Sequence, residues 1–125
     1  MGIADKVKFL LKSNHVYEIL CYSDLFLLPS ASESFGLAAL EAMMMRVPVI
    51  SSNVGGLPEV NIEGQSGYLF DLGDPHKMAK QAISLMKDEV LLEKMKDQAS
   101  AVAKCFDIDT VVNQYIEVYK KALKS

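Results

Sequence analysis

Leu25-Phe26-Leu27-Leu28-Pro29-Ser30-Ala31-Ser32-Glu33-Ser34-Phe35-Gly36-Leu37 is the stretch whose reading decides the fold. Its first four residues form a continuous apolar run, as expected of a strand covered by helices on both sides. Pro29, Ser30 and Ser32 end that run. From Gly36 to Met45 the chain is rich in Ala, Leu and Met and reads as helix. Strand, short polar turn and helix make the repeating unit of a parallel α/β sheet, and the pattern continues outward. Pro48-Val49-Ile50-Ser51 reads as a second strand, and Gly55-Gly56 with Pro58 turn the chain into a short helix. Gly67-Tyr68-Leu69-Phe70 reads as a third strand. Asp74 then caps a helix that has Pro75 at its first position and runs to about Lys87. Two more helices are expected, over Val90 to Lys104 and Ile108 to Leu123. The last carries Ile108, Val112, Tyr115, Tyr119 and Leu123 at helical spacing. Upstream, Val7-Lys8-Phe9-Leu10 alternates weakly and reads as a short strand. Asn14 caps a helix through Tyr22, with Val16, Ile19 and Leu20 on its apolar stripe. The expectation is an α/β protein: a partial doubly wound parallel sheet, Rossmann-like, with C-terminal helices.

At 125 residues the chain fits one domain. Half its residues are hydrophobic and 23% are charged, enough apolar matter for a packed core and too little charge for disorder. The net charge of -3 is interspersed along the chain, which argues against nucleic-acid binding, since that needs a concentrated basic face. No apolar run is long enough to span a bilayer and no cationic start precedes an apolar stretch, so a cytoplasmic location is expected. Cys21 and Cys105 belong to no Cys-x-x-Cys pair and read as two buried thiols of a reducing compartment. His15 and His76 read as surface residues at helix starts, and no cluster offers metal-ligand spacing.

In a parallel sheet, ligands bind where strand ends meet helix starts, and Ser30 to Leu37 is such a place. Small residues and Gly36 allow close approach to the backbone. The free amides and positive end of the following helix suit a diphosphate. Glu33 stands just before this helix and Glu41 inside it. In a fully helical run they would be about 12 Å apart and turned by roughly 80°, so both could address one elongated ligand. Carboxylates accept hydrogen bonds and repel phosphate, so their natural partners are paired hydroxyls, a sugar ring at one end and a ribose at the other. Spacing alone does not decide this, because two glutamates eight apart also occur on any solvated helix face.

Glu33-Ser34-Phe35-Gly36-Leu37-Ala38-Ala39-Leu40-Glu41-Ala42-Met43 is similar to the Glu-x7-Glu motif of retaining glycosyltransferases of the GT-B fold, in the large family 4. The strand Ser23 to Ser30 resembles that family too. So do Val47-Pro48-Val49-Ile50, Val54-Gly55-Gly56-Leu57-Pro58-Glu59-Val60 and Gly64-x-x-Gly67-Tyr68-Leu69. The resemblance implies that residues 1–125 are a truncated C-terminal donor-binding domain whose ligand is a nucleoside-diphosphate sugar, a UDP-sugar foremost. It implies that Glu33 binds the donor sugar's hydroxyls and is the catalytic glutamate, and that Glu41 binds the ribose. Backbone amides of Ser34, Phe35, Gly36 and Leu37 would meet the sugar and phosphates, and Leu10 and Leu11 would lie near the base. The family implies no metal and no cofactor, and retention of configuration through a front-face displacement.

Three departures stand out. Met44, Met45 and Arg46 occupy positions where small residues and a glycine are usual. A left-handed helix end there costs a residue with a Cβ about 1 kcal/mol. Either Arg46 tolerates that geometry or the helix end is lengthened or shifted. Leu11 stands where a glycine is common and would crowd the base. The two strand–helix units with the basic diphosphate clamp, and the N-terminal acceptor domain, have no counterpart in the 125 residues. The chain alone is therefore expected to be inactive, and its parent a hexosyltransferase. Loss of those strands also predicts either that Val7–Leu10 moves in beside Leu25–Leu28 or that copies pair as a dimer or exchanged assembly. A non-catalytic α/β module that folds and self-associates is the rival reading, and a GT-B epimerase or phosphorylase relative a third.

Overall fold

A computed structural model describes residues 2–10, 15–32, 36–106, 116–117 and 120–123. After a 3₁₀ turn at Ala4–Lys6, the order is α1 (Val16–Cys21), β1 (Phe26–Leu28), α2 (Leu37–Met44), β2 (Val49–Ser52), α3 (Leu57–Val60), β3 (Gly67–Phe70), α4 (Pro75–Lys87) and α5 (Glu89–Lys104). The sheet is parallel in the order β1-β2-β3, with Leu27 opposite Ile50 and Ile50 opposite Tyr68. The α/β, Rossmann-like expectation is the fold observed.

The core lies in two clusters, one for each side of the pleat. Val49 packs with Leu40, Met43, Leu57 and Val60 from α2 and α3. Tyr68, on the alternate face, packs with Leu85 of α4 and with Leu92 and Met95 of α5. The same α5 supplies Ala99 and Ala103 to the first cluster. Each fully buried Leu or Met of this kind contributes about 1.5–3 kcal/mol. Only β2 is buried at every position. At β1 the expectation of cover on both faces fails: Leu27 is 44% exposed, because this strand is paired on one side only among the described residues.

Local chemistry sets the boundaries. The Asp74 carboxylate accepts from the Lys77 amide at 3.1 Å and starts α4, and Asp88 accepts from Leu91 at 3.0 Å and starts α5. Gly67 is obligatory, since a Cβ there would lie 1.6 Å from the Val49 carbonyl oxygen. Buried Asn61 joins β2 to β3, its Nδ2 donating to Val49 O at 2.9 Å, Ser51 Oγ at 2.8 Å and Tyr68 O at 3.1 Å. Its Oδ1 accepts from Ser66 Oγ at 2.8 Å.

Several expectations need correction. Val7–Leu10 is not a strand and does not pair with β1; Phe9 is 88% exposed. The Val7 amide instead turns back to the Ala4 carbonyl at 3.4 Å to close the 3₁₀ turn, and residues 7–10 pair with no strand among the described residues. α1 buries Leu20, while Val16 and Ile19 of its expected stripe remain exposed. Cys21 and Cys105 are both exposed thiols, because they sit at the ends of α1 and α5, past the last buried turn. His15 and His76 are surface residues at the starts of α1 and α4, as expected. The capping role of Asn14 lies outside the described residues. Of the helix expected over Ile108 to Leu123, residues 116–117 and 120–123 are helical and the rest lies outside them. No helix among the described residues is long and apolar enough to cross a membrane.

Candidate functional site

β1 delivers the chain to the carboxyl edge of the sheet, and α2 begins a few residues later. Gly36 occupies the N-cap of α2 in the left-handed region, at φ 67°, and among the described residues no side chain caps the helix start. A side chain here would meet the backbone strain of positive φ, and its Cβ would lie 3.3 Å from Leu57 Cδ2. Glycine therefore lets the helix start settle against α3. The first bond of the helix runs from the Leu40 amide to the Gly36 carbonyl at 3.0 Å. The amides of Leu37, Ala38 and Ala39 thus precede any intrahelical acceptor and carry the positive end of the helix dipole.

Of the residues expected to form the site, Gly36 is buried, Leu37 is exposed at the first helical position and Glu41 is half-buried one turn further on. Among the described residues the Glu41 carboxylate has no hydrogen-bond or ion-pair partner. Glu33, Ser34 and Phe35 lie outside the described residues, as does Leu11, while Leu10 is exposed in irregular chain. Because the helix begins at Leu37, the fully helical separation considered for Glu33 and Glu41 does not apply. Among the described residues no group of His, Cys, Asp or Glu could hold a metal ion.

Residues outside the motif hold the frame. Ser52, fully buried at the end of β2, donates its hydroxyl to the Ser30 carbonyl at 2.5 Å, with the Leu28 carbonyl at 3.3 Å. Lys96 of α5 donates to the Asp24 carboxylate at 2.8 Å, just ahead of β1, and lies 3.4 Å from Glu93. Its hydrogen bond to Asp24 raises the Lys96 pKa above the ordinary lysine value, with burial opposing and charge attraction assisting. Neither contact is apparent from the sequence, since they join positions 22 and 72 residues apart. The signal for Ser52 was a pair of serines closing an apolar strand, since a buried hydroxyl needs a partner.

The far end of α2 resolves the glycine departure. The helix ends at Met44 without extension, and Arg46 takes the left-handed conformation, φ 61°. Its amide donates to Met43 O and that of Val47 to Ala42 O, both at 3.0 Å, which is a Schellman end. Its guanidinium reaches Asp97 at 2.8 Å and Glu93 at 3.6 Å on α5. The hydrogen bond to Asp97 is the main cause raising the Arg46 pKa.

Residues 1–102 match the family model described as glycosyl transferases group 1. The chain is 46% identical over 125 residues to the N-acetyl-alpha-D-glucosaminyl L-malate synthase of Bacillus anthracis, covering 99% of this chain and 33% of that protein. It is 32% identical over 127 residues to a D-inositol 3-phosphate glycosyltransferase of Streptomyces avermitilis, covering 100% of this chain and 27% of the relative. The crystal structure of Anabaena Alr3699/HepE in complex with UDP-glucose superposes with a TM-score of 0.82 at 28% identity, covering 96% of this chain and 34% of that one. The chain thus spans about a third or less of the length of these relatives. The family match takes in all three strands and every helix down to most of α5, far more than the glutamate motif alone, and the chain therefore belongs to the glycosyl transferases group 1 family.

Proposed function

We propose that residues 1–125 form the C-terminal donor-binding part of a retaining GT-B glycosyltransferase, with Glu33, Ser34, Phe35, Gly36, Leu37 and Glu41 holding a nucleoside-diphosphate sugar. The observation that carries this is the start of α2 at the carboxyl edge of a parallel sheet, where among the described residues no side chain caps the helix and the half-buried Glu41 has no partner. Amides at a helix start are matched to diphosphate oxygens. A carboxylate one turn on is matched to ribose hydroxyls, and Glu33 to the sugar. Departure of the nucleoside diphosphate is stabilised by those amides as its charge develops. UDP as the nucleotide is supported by the UDP-glucose complex of the Anabaena neighbour. N-acetylglucosamine as the sugar and L-malate as the acceptor are supported by the name of the Bacillus anthracis relative. The acceptor site and the basic diphosphate clamp belong, in this reading, to polypeptide outside these residues, and turnover requires them.

Calorimetric titration of UDP-N-acetylglucosamine tests the reading. The 125-residue chain is expected to bind weakly, and the natural full-length polypeptide that carries it to bind and turn the donor over. Sub-micromolar binding by the 125 residues, better than about -8 kcal/mol, would show that the clamp is not needed. No binding by either would remove the donor assignment.

A second reading, self-association of the chain, is favoured by one observation: among the described residues β1 has no partner on its outer edge.

A further inference from the structure

We propose that Ser52 is a positioning residue for the donor site, fixing through its hydroxyl the Ser30 carbonyl where the chain leaves β1 toward that site. This rests on the donor-site reading given above. The β1–β2 ladder ends at the pair Leu28 and Ser51. Beyond it the two chains diverge, β1 toward the helix start and β2 toward α3. Ser52 bridges that divergence with a side chain. Its hydroxyl has one proton, and the 2.5 Å distance to Ser30 against 3.3 Å to Leu28 places it on the Ser30 carbonyl.

Ser30 is fastened to the end of β2 at the carboxyl end of β1, and Gly36, where α2 starts, lies against Leu57 and Val60 of α3. Fixing the Ser30 carbonyl fixes the direction in which the chain leaves β1 toward the proposed donor site. A site whose entry is already fixed loses less freedom on binding, so the anchor lowers the cost of binding. Ser52 is fully buried, so in a variant lacking the hydroxyl no water replaces the bond from the β2 side, whereas half-buried Ser30 can turn to solvent. Loss of the hydroxyl therefore loosens Ser30 without removing any group assigned to the donor.

Ser51 supplies the control. It is equally buried and adjacent in sequence, but its hydroxyl accepts from Asn61 Nδ2 at 2.8 Å, within the core. In the natural full-length polypeptide, Ser52→Ala is expected to weaken UDP binding by about tenfold, the scale of one hydrogen bond. It is also expected to speed deuterium uptake in peptides covering 29–36. Ser51→Ala is expected to lower the melting temperature while leaving UDP affinity and that uptake unchanged. Ser52→Cys, similar in volume with a weak donor, is expected to fall between wild type and Ser52→Ala, and decides the matter if the alanine variant does not fold.

Wild-type UDP affinity in the Ser52 variants, or an equal loss in Ser51→Ala, would overturn the positioning role. A wild-type protein that binds no UDP would instead overturn the donor-site reading. In that case unchanged uptake at 29–36 in the Ser52 variants would overturn the anchor as well.

Discussion

Glu41 keeps a half-buried carboxylate on α2 with no partner among the described residues, although a charged group in that position gains by finding one. If the ribose is that partner, Glu41→Ala removes acceptors made in both ground and transition states. Donor KM should then rise with kcat little changed, by about 1.5–3 kcal/mol in binding. Glu33→Ala should lower kcat more than KM, since its contact lies at the reacting sugar. Steady-state kinetics of both variants in the full-length enzyme check this, and wild-type kcat/KM in both would refute the assigned roles. The motif marks these two residues in the sequence by its spacing and its Gly36, and their roles belong to the proposed donor site. Arg46 was legible only as an alternative. A Cβ in the left-handed region is disfavoured, but the sequence does not say that two α5 carboxylates lie within reach. Arg46→Gly and Arg46→Ala both lose the ion pairs, yet only glycine relieves the backbone. The glycine variant should melt about 4 °C above the alanine variant, and thermal unfolding followed by circular dichroism compares them.

Among the elements, those whose signals are local came through best. Asp74 and Pro75 start α4 and Gly67–Phe70 forms β3 with the boundaries read from sequence, while α5 begins at Glu89, one residue ahead of the expected Val90, behind the cap Asp88. Caps and apolar runs act within a few residues, so a single sequence contains them. Val7–Leu10 failed for the opposite reason: a strand exists only through a neighbour, and neighbours are not local information. The exposed Leu27 and the exposed Cys21 and Cys105 have the same origin, since burial depends on what other elements cover. The tie between α5 and the entrance to β1, Lys96 to Asp24, spans 72 positions and was invisible for that reason. Its pH dependence follows from the raised Lys96 pKa. A cation whose folded pKa lies above its unfolded value contributes stability that is complete below the unfolded value and lost as pH rises through the folded one. The stability difference between wild type and Lys96→Met should therefore be constant around neutral pH and shrink only above the ordinary lysine value of 10.5. Urea unfolding at a series of alkaline pH values measures it.

For the molecule as a whole, the outer edge of β1, unpaired among the described residues, sets the expected solution behaviour. A short strand with an exposed Leu27 presents open backbone groups to a second copy, and edge pairing about a two-fold axis would join two sheets. Light scattering coupled to size exclusion should find a species heavier than the 13.8 kDa chain, its share rising with concentration. A monomer at every concentration would exclude self-association. The two-sided reach of α5 bears on how such a small domain holds together. Its first half closes the cluster under Tyr68 and its second half the cluster under Val49, so one rod is shared by both cores. Loss of α5 would uncover residues of both clusters at once. The sheet and its two layers should accordingly melt in a single cooperative step, with α5 as the keystone that makes two modest cores one folding unit.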